Sequence, residues 1–280
     1  MKVGLIGIGN MGLPLLRKLI TQNQYQVSVF LEKNNHSSYP CKIFMNNQLE
    51  KFIEHNSSII SILPNSKITY DLVSSINNDK PKLWMDLCSS SPKDVLKISQ
   101  CLQSKNIEYI DAPVSGGPKG MEKGVLTSIV SGPEETYQNF LNIINLYSDK
   151  VFYVSEKVGT SSTIKLANNT LLALNLVSSA EIINILDKQN IDIPTVLNFI
   201  NNSSGRNWAT MQRYPDNILT GKYDYGFSYE LHKKDVLTFL DSIETIKDNF
   251  LLKKIKDIYE DEKYNLGESM DHTEIVKLIK

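Results

Sequence analysis

The sequence predicts an α/β protein with two domains. Residues 1–156 form a doubly wound sheet domain, and residues 157–280 form an all-α domain, with one long helix joining them. Three observations carry this expectation. Short apolar runs of β type alternate with helical patterns as far as about Val154, as in a parallel sheet covered by helices. A glycine-rich turn follows the first such run directly. From Ser161 to Gln189 the pattern stays helical for 29 residues, and little but helix comes after it.

The bulk numbers fit this outline. A chain of 280 residues has room for two domains, and 41% hydrophobic with 22% charged residues is an ordinary globular composition. A net charge of −1 gives no reason to expect a nucleic acid or an anionic membrane as partner. No uninterrupted apolar run approaches the ~20 residues that a membrane span needs. Met1 leads straight into K-V-G-L-I-G, which leaves no room for a signal or transit peptide, so a cytoplasmic location is expected. Cys41, Cys88 and Cys101 lie far apart, so neither a disulfide framework nor a metal site is expected.

Lys2–Gly7 reads as the first strand, entering Gly7-Ile8-Gly9-Asn10-Met11-Gly12. The G-x-G-x-x-G spacing between a strand and a helix is that of a Rossmann-type dinucleotide site. Gly7 permits the turn, Gly9 lets a pyrophosphate approach the backbone, and Gly12 lets the helix pack on the strand. The helix over about Met11–Thr21 offers its N–H groups and positive dipole end to the phosphates, with Asn10 and Met11 beside them. Tyr25–Leu31 alternates as a second strand, and Glu32 falls 20 residues after Gly12. A carboxylate there holds the ribose hydroxyls and repels a 2′-phosphate, which favours NAD over NADP, although Lys33 beside it pulls the other way. Asn34–Pro40 reads as loop.

Ser58–Leu63, ending at Pro64, and Leu83–Leu87 read as buried strands. The serines after Cys88 can cap a helix opening at Pro92. Ligands of a doubly wound sheet sit at the carboxyl ends of its strands, which places Leu63, Pro64 and Ser89 on the cofactor side. Ile107–Asp111 is the next strand. The segment Asp111–Gly120 that follows, D-A-P-V-S-G-G-P-K-G, reads as a turn. The N–H groups of Ser115, Gly116 and Gly117, with the Ser115 hydroxyl, can form a nest for a small carboxylate. Gly124–Gly132 is a strand, Glu134–Leu146 a helix and Val151–Val154 a last strand.

The helix from Ser161 is apolar on most sides, yet Lys165 and Asn169 interrupt it. Four residues apart, they share one face, one turn from each other. A lysine and an amide on a helix that joins two domains sit where a cleft is expected. Pro194 opens a second helix to about Asn201, and Ser203–Trp208 breaks it. Phe239–Phe250 and Leu251–Tyr264 read as amphipathic helices, and Asp271 caps a final helix over His272–Lys280. The four histidines, His36, His55, His232 and His272, stand among charged or polar residues and are not expected to be catalytic.

Taken together these motifs resemble the β-hydroxyacid dehydrogenase family, relatives of 6-phosphogluconate dehydrogenase. The resemblance rests on Gly7–Gly12 with Met11, on Asp86–Pro92, and on D-A-P-V-S-G-G at Asp111–Gly117. It continues through G-x-L-T at Gly124–Thr127, the run from Gly159 to Asn169, Lys234-Asp235, and D-H-T-E-I at Asp271–Ile275. Within the family, S-S-G-R-N-W at Ser203–Trp208 is most similar to 3-hydroxyisobutyrate dehydrogenases. The chain departs from the family at Cys88, where serine is usual, and at Ser161, where glycine is common. Glu32 stands one place later than the usual acidic position.

The resemblance implies a fold and a chemistry. It makes Lys165 the acid/base, Asn169 a positioning group, and Ser115, Gly116 and Gly117 the holders of the substrate carboxylate. Arg206 and Trp208 become candidates to line the substrate pocket, and Lys234 the residue that reaches the nicotinamide end. Oxidising a 3-hydroxy acid requires a base for the hydroxyl proton, and a lysine near its usual pKa of ~10.4 is a poor one at neutral pH. Burial without a paired carboxylate would lower that value. The expected activity is hydride transfer between NAD(P) and a small 3-hydroxy acid, 3-hydroxyisobutyrate first. Semialdehyde or glyoxylate reduction, and a non-catalytic nucleotide-binding interaction protein, are the competing readings. The family habit and the apolar central helix lead us to expect a homodimer or homotetramer.

Overall fold

The computed structural model describes residues 1–32, 39–77, 80–243, 248–261, 266–267 and 270–279. The chain divides into two compact units, Met1–Lys165 and Leu166–Lys280.

The first unit is a Rossmann-type domain. Its strands are β1 (Lys2–Ile6), β2 (Gln26–Leu31), β3 (Lys42–Met45), β4 (Ser58–Ser61), β5 (Leu83–Asp86), β6 (Glu108–Asp111), β7 (Val114–Ser115), β8 (Leu126–Ser131) and β9 (Ser148–Ser155). Its helices are α1 (Gly12–Ile20), α2 (Leu49–His55), α3 (Ser66–Ser74), α4 (Pro92–Gln103), α5 (Gly117–Lys123) and α6 (Glu134–Ile144). The sheet order is β3-β2-β1-β4-β5-β6-β8-β7, with β9 beside β8. From β3 to β6 every pairing is parallel.

The sheet is not parallel throughout, as the strand–helix alternation suggested. β8 runs antiparallel to both β6 and β7. Residues 116–125, between β7 and β8, are fewer than the dozen or more that a parallel crossover requires.

Consecutive residues on the central strands face opposite sides. Ile60, Met85 and Ile110 pack with Leu15, Leu16 and Leu19 of α1 and with Phe140 and Ile143 of α6. Ile59, Trp84 and Tyr109 pack on the other face with Phe52 of α2, Val73 of α3, and Val95, Ile98 and Leu102 of α4. Apolar burial on both faces explains why these strands read as short continuous apolar runs.

Five elements of this unit escaped the sequence reading: β3, α2, α3, β7 and α5. α3 is rich in β-branched and aromatic residues and buries only Thr69 and Val73, so its helical period is faint. α5 opens on Gly117-Pro118 and holds a second glycine, a composition that reads as turn.

The second unit holds most of α7 (Thr160–Lys188), then α8 (Ile193–Asn201), α9 (Tyr229–Asp241) and α10 (Phe250–Glu260). α7 runs unbroken for 29 residues, within one residue of expectation at each end. By length and composition it could also cross a bilayer. Its Ala173, Leu176, Val177, Ala180 and Ile183 instead form one wall of the second unit's apolar core.

Two expectations are corrected here, and one segment has no counterpart in the sequence reading. Ala209–Ile218 is a π-helical segment, which no local signal indicated. α9 begins at Tyr229, ten residues before the helix read at Phe239, because Ser228 accepts the Leu231 N–H and caps it there. The final segment, His272–Lys277, is a 3₁₀-helix rather than an α-helix, though Asp271 caps it as expected. Lys33, His36 and the rest of the loop before Tyr39 lie outside the described residues, as do parts of the expected helices 239–250 and 251–264.

Candidate active site

The glycine turn at the end of β1 meets three different demands. Gly7 has φ +94°, and a Cβ there would lie 2.1 Å from the Ile62 carbonyl oxygen. A Cβ on Gly12 would lie 1.8 Å from the Gly7 carbonyl oxygen, so this glycine seats α1 on β1. A Cβ on Gly9 would meet nothing within 4 Å. Gly9 therefore keeps space open rather than relieving a clash inside the protein. A backbone cradle open at the N-terminus of α1 fits a dinucleotide pyrophosphate. The first turn of α1 has no acidic side chain to repel it. Because β1, β2, β4 and β5 are parallel, the residues after them fall on one sheet edge. Asn10 and Met11, exposed Glu32, Leu63 with Pro64, and Ser89 all stand there.

Two buried aspartates end neighbouring strands, Asp86 on β5 and Asp111 on β6, directly opposite each other in the ladder. Asp86 Oδ1 accepts from Ser61 Oγ at 2.9 Å and from the Cys88 N–H at 3.2 Å. It thereby ties down the loop leading to Ser89 and to Ser91, which caps α4. Burial pushes Asp86 up to about 6, against the hydrogen bonds from Ser61 and Cys88, and the facing Asp111 adds to the rise.

Asp111 holds the start of α7. Its Oδ1 accepts from the Gly159 N–H at 3.0 Å and its Oδ2 from the Ser162 N–H at 3.1 Å. Ser161, at the position where the family commonly has glycine, donates its hydroxyl to the same carboxylate. The beginning of the helix that carries Lys165 is thus pinned to the end of β6, four residues ahead of Ser115. Ser115 and Gly116 are exposed, and Gly116 (φ +127°) and Gly117 (φ +66°) turn the chain away from β7.

Lys165 and Asn169 are both buried on α7. In the second unit the Asn169 amide nitrogen donates to Asp235 Oδ2 at 2.8 Å, and Lys234 Nζ lies 3.1 Å from Asp235 Oδ1. Asn169 and Lys234, both read from sequence, therefore meet through a residue that was quoted but given no role. Arg206 and Trp208 are exposed, and Trp208 immediately precedes the π-helical segment.

His232 and His272, which stand among charged or polar residues in the sequence, are fully buried, with ring centroids 5.2 Å apart. Burial pushes His272 below its usual range, opposed by its contact with the Asp271 carboxylate. Phe227 packs on both rings.

A parallel sheet in the order 3-2-1-4-5-6, with an open glycine cradle after β1, defines a dinucleotide-binding protein of the Rossmann class. Family comparison narrows the class. Residues 2–155 match the model for the NAD binding domain of 6-phosphogluconate dehydrogenase. Residues 159–279 match that for the NAD-binding domain of NADP-dependent 3-hydroxyisobutyrate dehydrogenase. The chain belongs to the β-hydroxyacid dehydrogenase family and is an NAD(P)-dependent hydroxyacid dehydrogenase.

Among its relatives is 2-(hydroxymethyl)glutarate dehydrogenase of Eubacterium barkeri, 29% identical over 84% of this chain and 80% of that one. The mitochondrial 3-hydroxyisobutyrate dehydrogenase of Homo sapiens is 28% identical over 89% of this chain and 78% of that one. The fold matches the Mycobacterium tuberculosis 3-hydroxyisobutyrate dehydrogenase solved with L-serine, with TM-score 0.85, 20% identity, and coverage of 100% and 99% of the two chains. It also matches Psf3 in complex with NADP+ and 2-OPP, with TM-score 0.83, 21% identity, and coverage of 99% and 100%.

Proposed function

We propose that this enzyme oxidises small acids of the form HOCH2–CHR–COO⁻ to their semialdehydes, with NAD and with 3-hydroxyisobutyrate as the preferred substrate. The observation that carries this reading is the Asp111 anchor. It fixes the start of the Lys165 helix at the end of β6, near Ser115 in the chain and on the sheet edge that holds the glycine cradle. The three compounds named with the relatives support the class: 3-hydroxyisobutyrate, 2-(hydroxymethyl)glutarate and L-serine each join a primary alcohol to a carbon bearing a carboxylate.

The residues divide the work. The Ser115 hydroxyl and the N–H groups of Gly116 and Gly117 hold the carboxylate. Lys165 Nζ accepts the hydroxyl proton in oxidation and returns it in reduction. Asn169 holds the reacting oxygen, and Arg206 and Trp208 face the variable R group. A bound nicotinamide dinucleotide supplies the hydride acceptor. Gly7, Gly9, Asn10, Met11, Gly12, Leu63, Pro64, Ser89 and Lys234 hold it, and Glu32 takes the ribose hydroxyls at the expense of a 2′-phosphate.

The test is a panel of the three hydroxy acids, with succinic semialdehyde and glyoxylate for reduction, each with NAD(H) and NADP(H), followed at the reduced-cofactor absorbance. We expect the highest kcat/KM for 3-hydroxyisobutyrate with NAD. A clear preference for glyoxylate, or for NADP, overturns the corresponding part. Lys165→Ala is expected to lower kcat by about 10²–10⁴-fold, the usual worth of a positioned acid/base, with NAD affinity within about twofold of wild type. A variant with near wild-type kcat removes Lys165 from the chemistry.

A further inference from the structure

Two residues of α9 grip Asn169 from different sides. Asp235 and His232 are three apart, hence neighbours on one helix face. Asp235 Oδ2 accepts from the Asn169 Nδ2 at 2.8 Å. A carboxylate only accepts, so the amide must present its nitrogen to Asp235. Its oxygen then points elsewhere, toward Asn168 Nδ2 at 3.2 Å.

His232 Nε2 lies 3.0 Å from the backbone carbonyl oxygen of Asn169. That oxygen cannot donate, so Nε2 carries the hydrogen, and in a ring with one hydrogen Nδ1 is the acceptor. The Tyr259 hydroxyl of α10 stands 3.3 Å from Nδ1 and donates to it. Asn169, His232, Asp235 and Tyr259 are all nearly or fully buried. Such a network is held in one arrangement, because breaking any link leaves an unpaired polar group without water.

We propose that His232 and Asp235 form a two-point clamp that fixes where the Asn169 amide points, and that Tyr259 fixes His232 in the tautomer the clamp needs. His232 and Asp235 are then positioning residues for the reaction, acting through Asn169. The inference rests on the assignment of Asn169 to the reacting oxygen. Asp235 also meets Lys234, so the same carboxylate sets two of the residues proposed for the site.

The test is a double-mutant cycle on the purified full chain, with the best hydroxy acid and cofactor of the panel. His232→Leu removes the donor and is expected to lower kcat by about 10- to 100-fold, as a misplaced catalytic group does, with KM within about threefold. His232→Gln keeps an N–H donor near the Nε2 position and is expected to recover kcat to within about threefold of wild type. In an Asn169→Ala background, His232→Leu is expected to cost less than about twofold more, since coupled residues are not additive.

A network that serves only the architecture would lower the melting temperature, followed by circular dichroism, and would leave that non-additivity absent. Wild-type kcat in His232→Leu, or an equal loss with and without Asn169, overturns the clamp alone. Wild-type kcat in Asn169→Ala overturns the assignment of Asn169 and the clamp together. If His232→Leu fails to fold, His232→Met replaces it, with the same outcomes deciding.

Discussion

At the residue scale, the glycines of the first turn separate folding from binding. Gly9 and Gly12 look alike in the sequence, but their surroundings are opposite. A Cβ on Gly12 would enter the Gly7 carbonyl, whereas one on Gly9 would project into open space. Gly12→Ala is therefore expected to destabilise the protein by about 1–3 kcal/mol or more, the usual cost of forcing an extra carbon into a packed site. Gly9→Ala is expected to keep the wild-type melting temperature while weakening dinucleotide binding by about tenfold or more, since the carbon fills the approach to the backbone. Thermal melts and cofactor titration of the two variants decide this. Equal melting temperatures for both variants would contradict it. The motif was legible because its spacing is local. The environment that tells one glycine from the other depends on where the Gly7 carbonyl lies in the folded turn.

Two buried carboxylates at facing strand ends show what pairing β5 with β6 costs. Asp86 sits at about 6 when folded, against ~3.9 for a free side chain, so the fold favours its neutral form. Its contribution to stability is thus fully present below about pH 4 and is lost as pH rises through about 6, by roughly 3 kcal/mol. Asp86→Asn keeps the shape and cannot ionise. Urea unfolding should show the variant gaining on wild type between pH 4.5 and 7.5, and a difference that does not change with pH would contradict this. The strand ends themselves were legible from L-W-M-D-L and E-Y-I-D, but the pairing that opposes the two aspartates was not. α9 makes the same point for a helix: its apolar stripe is weak, and only the Ser228 cap shows where it starts.

For the whole molecule, the division into a sheet unit and a helical unit was legible because the hydrophobic period changes along the chain. Self-association is an expectation of the same scale. The second unit leaves Leu171, Ile182 and Ile185 of α7 exposed, together with Phe199, Phe250 and Leu251. Exposed apolar side chains in such number favour a covered surface. Sedimentation equilibrium at micromolar concentration is expected to give a homodimer or homotetramer, and a single species of 31.7 kDa would refute that.

By itself the sequence determined what is local: the glycine turn after β1, the 29-residue α7, and Lys165 and Asn169 one turn apart on it. The tertiary structure alone decided which distant groups hold those residues in place. Asp111 reaches the start of α7 across 50 residues, and Asp235 reaches Asn169 across 66. Periodicity and spacing report neighbours within a few turns. A hydrogen bond to a buried carboxylate is settled only when the packed fold has removed the water that would otherwise satisfy it.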